Sequence, residues 1–328
     1  MITATTKLGG TATNVVVAKV AGATPIPDEQ AFESIKSSID ALPEGVKMML
    51  NSAEFYGHGG TTGNLELLAR FFEECPDYAD KPFLSVKGGA IGFGKISGRA
   101  DDLRNSVDKS IVALRGTKKI EVPIENIVGY LVEFFREGKF DHIGLSECRA
   151  EGLHDLGVYP ISVVEIQISP ISYEEETKKV LAASAELNIS VAAYSCPHFG
   201  FYPLGHGLIA GKIKGMGDLP AGSWMRDLTR LKDENLPANL RLIDAILAMA
   251  AKKNCTPGQL SIAWVGALGE KVNPLPGSTR KERTLENLHG GEAVLSKEDL
   301  DEFAQLLDAN PVKGDQDFWD AVDLKLWG

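Results

Sequence analysis

Residues 46–89 read VKMMLNSAEFYGHGGTTGNLELLARFFEECPDYADKPFLSVKGG, and the order of textures within them decides the fold. A short apolar run (46–50) gives way to a polar, glycine-rich turn, then to the amphipathic stretch 64–74. A Pro- and Asp-bearing turn leads to a second apolar run, 83–87. Strand, helix and strand in that order form a crossover unit whose two strands run parallel, so their carboxyl ends share one sheet edge. Tyr56 stands just beyond the first run and Lys87 ends the second. A lysine cation within a few ångströms of a phenol favours the phenolate and lowers the tyrosine pKa from about 10. That pairing suits reduction of a carbonyl, where an oxyanion is protonated as it forms. A strand-end tyrosine beside a solvated lysine would account for the same residues.

The pattern repeats outward. Further strands are expected at 15–20, 142–145, 163–168, 189–194 and 272–275. Helices are expected at 28–42, 64–74, 100–115, 124–137, 149–156, 174–187, 238–253, 257–268 and 297–308, with a helical turn at 284–290. Asp28 reads as an N-cap, with Phe32, Ile35 and Ile39 on one face of its helix; Leu103, Val107, Ile111 and Leu114 mark the buried face of the next but one. Residues 196–237 form a long irregular stretch rich in Gly, Pro and Trp. Nearly continuous apolar strands alternating with helices mean a parallel sheet covered by helices. Seven to eight such units favour a closed (β/α)8 barrel, one domain over residues 1–328. A dinucleotide fingerprint after the first strand is lacking, since Gly9-Gly10 precedes it. In a barrel the chemistry lies at the strand carboxyl ends: residues 51–56, Lys87, Ser146-Glu147, 165–167, Tyr194-Ser195 and 276 onward.

Composition narrows the setting. The chain has 328 residues, 44% of them hydrophobic, without an apolar run long enough to span a membrane. Its start lacks the pattern of a secretory signal. Four cysteines (Cys75, Cys148, Cys196, Cys255) stand far apart, which reads as reduced thiols in a cytoplasmic protein with neither a disulfide frame nor a metal site. A net charge of −11 argues against a nucleic-acid partner. The expected partner is a small molecule, and the oligomeric state is not set by the sequence.

In order along the chain, PDEQAFESIK, NSAEFYG, NLELLARFF, FLSVKGG, SVDKSIVALRG, GKFDHIGLSE, AAYSCP, PLGHGLIAGKI and PLPGSTRKERTLENL resemble the aldo-keto reductases, most closely their fungal pyridoxal reductase branch. The likeness runs from residue 27 to about 308. It implies NADPH-dependent reduction of an aldehyde, pyridoxal to pyridoxine in that branch, and hence a place in vitamin B6 metabolism. By this resemblance Tyr56 is the proton donor and Lys87 the lysine that assists it. Asn51 stands where the family has an aspartate bound to the lysine; with no carboxylate there, Lys87 is expected to be less strongly held as an ammonium. Ser146, Glu147 and Glu165 fall where the family grips the nicotinamide carboxamide, Glu165 replacing a glutamine. Tyr194 matches the aromatic that stacks on the nicotinamide; the alternative is a buried strand tyrosine, which the loop that follows makes the weaker account. Ser195 is implied to contact the cofactor, and Leu204 and Gly205 begin a stretch that resembles the loop whose backbone N–H groups approach the pyrophosphate. Gly277, Ser278, Thr279, Arg283, Glu286 and Asn287 resemble the adenosine-phosphate pocket, and Arg283 suits a 2′-phosphate, which favours NADP. The alternative is a polar helix start with solvated charges.

Two places depart from the pattern. Only residues 116–122 separate the third expected helix from the fourth, too few for a strand and two loops. The fourth strand, and the histidine the family usually carries at its end, are therefore expected to be missing. After Val20 the chain also enters its first helix almost directly, so the first unit is expected to be incomplete. His142 opens its strand and so lies at the wrong end; His58, His198 and His206 lie on loops. These departures leave open a catalytically impaired relative that binds the cofactor as a redox sensor or interaction protein. A barrel aldolase using Lys87 as a Schiff base is a third reading, and it leaves Tyr56 without a role.

Overall fold

The structure, a computed structural model, describes residues 6–8, 14–20, 26–92, 95–120, 122–125, 129–156, 159–194, 213–219, 226 and 228–314. In chain order the strands are β1 Thr6–Lys7, β2 Asn14–Val20, β3 Val46–Ala53, β4 Pro82–Lys87, β5 Ala90–Gly92, β6 Lys95–Ile96, β7 Val122–Glu125, β8 Ile143–Ser146, β9 Ile161–Gln167, β10 Ser190–Tyr194, β11 Val272–Leu275 and β12 Gly277–Ser278. The helices are α1 Asp28–Asp40, α2 Gly63–Glu74, α3 Ala100–Ala113, α4 Gly129–Arg136, α5 Ala150–Leu156, α6 Glu175–Glu186, α7 Leu236–Lys252, α8 Pro257–Gly266, α9 Lys281–Gly290 and α10 Lys297–Ala309. Strands β2, β3, β4, β7, β8, β9, β10 and β11 follow one another in parallel around the sheet. The ring closes where Gly277 and Ser278 of β12 pair with Lys19 and Val20 of β2. Every unit in this ring is strand followed by crossover, which is the expected (β/α)8 barrel.

Alternation along the strands sorts the apolar side chains. Met48, Leu50, Leu84 and Val86 pack outward against Phe32, Ile35, Leu65, Leu68 and Phe71 of α1 and α2. Met49, Phe83, Val163, Ala192 and Leu275 form a separate inner cluster with Leu8. Side chains two residues apart share a face, so Asn51, Ser85, Lys87, Glu165, Gln167 and Tyr194 continue the inner face toward the carboxyl mouth. β1 runs antiparallel to the start of β2, with Lys7 opposite Asn14, and so delivers Leu8 beneath the barrel. Each large apolar side chain fully buried in these layers contributes roughly 1.5–3 kcal/mol.

The fourth strand, expected to be missing, is present. β7 takes residues from what reads as the start of the fourth helix, and α4 begins only at Gly129. Val122, Pro123 and Ile124 pair with Ser85, Val86 and Lys87, and β7 pairs on its other side with β8. A barrel missing one stave would leave two inner strands with unpaired backbone groups, which is costly in a buried layer. Pairing along both edges outweighs the absent N–H of Pro123 and the helical periodicity of the segment. The first strand is likewise a full seven residues. The segments leaving these two strands, residues 21–25 and 126–128, lie outside the described residues.

Two local expectations are also corrected. Asp28 does not cap α1: Pro27 holds the N-cap position, and Asp28, inside the first turn, binds Arg70 through both carboxylate oxygens. Ile111 is 39% exposed, because the buried face of α3 runs through Leu103, Ser106, Val107, Ser110 and Ala113 instead.

Candidate active site at the barrel mouth

At its carboxyl end β3 carries Asn51, Ser52 and Ala53, and a tight turn succeeds it. Tyr56 N–H donates to the Ala53 carbonyl (3.4 Å), which folds the tyrosine back over the strand end. Gly57 N–H donates to the Thr61 carbonyl at 2.8 Å. A Cβ at Gly57 would lie 2.4 Å from Thr61 Oγ1 and 2.5 Å from Gly63 N, so only glycine fits next to the tyrosine. Asn64 Nδ2 donates to Ser52 Oγ (2.6 Å), tying the start of α2 to the same turn. Tyr56 is 6% exposed, and Lys87 Nζ lies 5.1 Å from the centroid of its ring. The predicted meeting of tyrosine and lysine at one edge is therefore what the backbone delivers.

Lys87 is buried and bound on two further sides. It donates to Asn51 Oδ1 at 2.9 Å and forms an ion pair with Glu165 Oε1. Asn51 Nδ2 in turn donates to Glu165 Oε2 at 2.7 Å. Lysine, amide and carboxylate thus close a three-membered ring of hydrogen bonds inside the barrel, joining β3, β4 and β9. The expectation that Lys87 lacks a carboxylate is overturned: the anion comes across the barrel. Glu165, placed by resemblance at the nicotinamide carboxamide, spends both oxygens on this ring. The signal was present in the sequence, since a lone charge within an apolar run requires a buried partner. It did not say which partner.

The rim is fastened by a second buried carboxylate. Glu54 N–H donates to the Lys87 carbonyl (2.9 Å), and Glu54 Oε1 accepts from Ala90 N–H (3.0 Å) and Ser106 Oγ (2.8 Å). Ser106 Oγ accepts from Gly89 N–H (2.8 Å), and Lys109 Nζ lies 3.7 Å from Glu54. The turn bearing Tyr56 and the loop leaving Lys87 are therefore one unit, docked on α3. Sequence reasoning passed over Glu54, because its partners lie on a helix and a loop distant along the chain.

On the next strands, Ser146 is half-buried at the end of β8, and Glu147 comes after it with φ of +50°. Glu147 N–H donates to the Glu165 carbonyl at 2.9 Å, and Glu147 Oε1 accepts from Gln167 N–H at 2.8 Å. Gln167 Nε2 donates to Ser172 Oγ (3.1 Å), which also accepts from Arg230 at 2.7 Å. Arg230 further binds Glu174 (2.6 Å) and the carbonyls of Ile171 and Gly314, a buried clasp on one side of the mouth. Tyr194 is half-buried at the end of β10. Cys148, beside Glu147, has its thiol pushed up to about 12, by burial first and by the Glu147 charge second.

Beyond β11, Gly277, Ser278 and Thr279 are half-buried; Gln30 Nε2 holds the Thr279 carbonyl at 2.7 Å. α9 starts after Arg280 without a side-chain cap. Its first turn carries half-buried Arg283, and later positions carry exposed Glu286 and half-buried Asn287. Uncapped N–H groups beside arginines make a donor set suited to a phosphate. Ser195, Leu204, Gly205, His198 and His206 lie outside the described residues. His142 sits at the amino end of β8, near Ser162 Oγ (3.3 Å), and desolvation by burial, its main influence, lowers its pKa. It belongs to the opposite end from the mouth, as its place in the sequence suggests.

Comparison with known proteins gives the same picture. A probable pyridoxal reductase 2 of Schizosaccharomyces pombe is 32% identical over 306 residues, spanning 88% of each chain. A second protein of that yeast, an aldo-keto reductase whose name specifies NADP(+), is 33% identical over 282 residues, 80% of this chain and 79% of its own. In three dimensions the glycerol dehydrogenase of Gluconobacter oxydans superimposes with a TM-score of 0.75 over 97% of this chain and 99% of its own, at 19% identity, a likeness of fold alone. The sequence profile described as the aldo/keto reductase family matches residues 16–308, a span that takes in nearly the whole barrel and both halves of the mouth, and by it this chain belongs to the aldo/keto reductase family.

Proposed function

We propose that this protein is an NADPH-dependent carbonyl reductase that converts an aldehyde, pyridoxal foremost, to its alcohol, working in the cytoplasm as one barrel domain over residues 1–328. One observation carries the reading: a buried lysine cation 5.1 Å from the ring of a buried tyrosine, both at the carboxyl end of the barrel. The name of the fission yeast relative supports the choice of pyridoxal, and the second relative's name supports NADP.

The uncapped start of α9, with Ser278, Thr279 and Arg283, fits the 2′-phosphate end of the cofactor, with Glu286 and Asn287 toward the adenine. Tyr194 is the aromatic that would stack on the nicotinamide. With Glu165 engaged by Lys87 and Asn51, the carboxamide falls to Ser146 and the neighbouring Glu147 turn. Gly277 pairs with Lys19 where β12 meets β2 and would contact the cofactor, as would Ser195, while Leu204 and Gly205 would track the pyrophosphate. When bound, the cofactor supplies the hydride that adds to the carbonyl carbon. Tyr56 then gives its phenolic proton to the carbonyl oxygen, and Lys87 favours the phenolate left behind. Asn51 and Glu165 hold Lys87 in place, and Glu54 keeps the tyrosine turn and the lysine loop at a fixed spacing.

Purified protein is expected to oxidise NADPH in the presence of pyridoxal, and the Tyr56→Phe variant to lose at least about a hundredfold in kcat. Equal rates for the two would refute the assignment. One observation favours a second reading, in which cofactor is held without turnover: β7 is four residues long, and neither it nor residues 126–128 contain a histidine. NADPH fluorescence changes on binding, without reduction of any aldehyde, would establish that alternative.

A further inference from the structure

We propose that Glu165 is the positioning residue of this site: it supplies the charge that keeps the Lys87 ammonium inside the barrel and aimed at Tyr56, with Asn51 serving as the neutral bridge between them. The proposal rests on the reading of Tyr56 as the proton donor and deepens it.

Both charges are buried. The Lys87 side chain is 7% exposed and that of Glu165 3%, so neither is stabilised chiefly by water. An ammonium placed there without an anion is strongly disfavoured, and it is held by a carboxylate that is itself hydrogen-bonded. Glu165 meets that requirement twice over, with one oxygen on Lys87 and the other on the Asn51 amide. The amide is oriented by the same contacts, its oxygen accepting from the lysine and its nitrogen donating to the carboxylate.

Among the described residues, the charged and titratable groups around this ring are few on each packed element. On β3 and its turn stand Tyr56 and Glu54, the latter engaged by Ala90, Ser106 and Lys109. Just past β8 stands Glu147, one oxygen of which is held by Gln167 N–H, and next to it Cys148. On β9 Gln167 is bound to Ser172, and on β10 Tyr194 closes the strand. Lys19 of β2 is the register partner of Asn51. Glu54 is turned to α3 and Glu147 to the end of β9, and among the described residues the carboxylate ion-paired with Lys87 is Glu165.

The ring also has an exchange symmetry. Its three bonds require one carboxylate and one amide between positions 51 and 165, and they are preserved if the two trade places. An aspartate at 51 would accept from Lys87 and from a glutamine at 165, and that glutamine would accept from Lys87 in turn. Reach differs by one methylene on each side, so the exchange is expected to recover function in large part.

The test compares wild type, Glu165→Gln and the exchanged double variant Asn51→Asp/Glu165→Gln, each confirmed as folded by its far-ultraviolet circular dichroism. The first readout needs no turnover: the phenolate titration of Tyr56, taken as near-ultraviolet absorbance minus that of the matching Tyr56→Phe protein. In Glu165→Gln the desolvated Lys87 gives up its proton within the titrated range, so the phenolate forms at higher pH than in wild type; in the double variant the titration returns toward wild type. The second readout is aldehyde reduction: kcat falls by about tenfold to a hundredfold in Glu165→Gln, the range for one lost charge-assisted bond, with the alkaline limb of the pH profile moving upward, and recovers in the double variant. A Tyr56 titration that stays put or moves downward in Glu165→Gln overturns the proposal, as does a double variant no better than the single one. Absence of reduction by wild type, with the titration behaving as described, would instead count against the reductase reading and leave the positioning role of Glu165 supported. Should Glu165→Gln fail to fold while the exchanged variant folds and titrates as wild type, the requirement for a single carboxylate in the ring is met by that pair alone.

Discussion

Replacing Gly57 by alanine tests whether the site is built by the turn at the end of β3. The backbone at Gly57 is ordinary (φ −71°, ψ 163°), so alanine meets no dihedral penalty there. The obstacle is space: the new Cβ would lie 2.4 Å from Thr61 Oγ1, 2.5 Å from Gly63 N and 2.6 Å from Thr61 O. Two of those three atoms are backbone, and they belong to the turn that starts α2, so rotating one side chain away does not relieve the contact. Overpacking of this kind typically costs about 1–3 kcal/mol, and a backbone obstacle argues for the upper half, about 2–3 kcal/mol. Part of the strain is relieved by moving residue 57 outward, and Tyr56 moves with it. A displacement of about 1 Å at a reacting group lowers rates by roughly a hundredfold. Urea denaturation reads the first effect and single-turnover NADPH oxidation the second. An alanine variant with the wild-type denaturation midpoint and wild-type turnover would show that the turn yields freely, and the claim that Gly57 fixes Tyr56 would be wrong.

The buried clasp at Arg230 is expected to matter more for stability than for chemistry: Arg230→Ala strands Ile171 and Gly314 carbonyls and the Glu174 carboxylate, and loses about 2–4 kcal/mol in urea unfolding, a range reduced for the partial exposure of Glu174. Asp28 has its carboxyl held below the usual 3.8, by its hydrogen bond to Arg70 first. A depressed carboxylate stabilises the fold above its unfolded pKa and loses that contribution as pH falls through the folded value. Asp28→Asn should therefore cost about 0.5–1 kcal/mol near neutrality, a small figure because both side chains are 36% exposed, and the difference from wild type should vanish in acid below that value. Cys148, with its thiol raised to about 12, should resist iodoacetamide at pH 8 under native conditions and react once unfolded, as peptide mass spectrometry would show; fast native labelling would contradict the burial that sets it.

Much of the barrel was legible because its signals are local. Apolar runs such as 83–87 and amphipathic stretches such as 64–74 carry their own periodicity, and the strands and helices fell within a few residues of their expected ends. The fourth strand was hidden because its stabilisation is not local. Pro123 and the helical spacing after it argue for a helix start, whereas the strand forms because β4 and β8 each need a partner. The same division holds at the site. Tyr56 and Lys87 were found from their places at strand ends, since adjacency of β3 and β4 is a consequence of the crossover between them. Glu165 was seen as a mouth residue, but its contact with Lys87 crosses the interior between staves far apart in the ring, and spacing along a chain does not encode that distance. Glu54 and Arg230 escaped for the same reason.

Leu8 and the apolar layer above it have a consequence for traffic. Leu8, Met49, Phe83, Val163, Ala192 and Leu275 pack as one buried apolar cluster beneath the ionic ring, a layer that a charged or strongly hydrated species crosses only at high cost. Among the described residues, the rim is the polar approach by which water and hydronium reach the ionic ring. If the rim is roofed by a bound nucleotide and its substrate, the interior is sealed with whatever protons it held at the moment of closure. On the proposed reading of Tyr56 as proton donor, the one proton that a single reduction consumes is the one its phenol carries, and the next must enter after the roof lifts. Catalysis in such an interior proceeds one charge at a time, with refilling coupled to the departure of product.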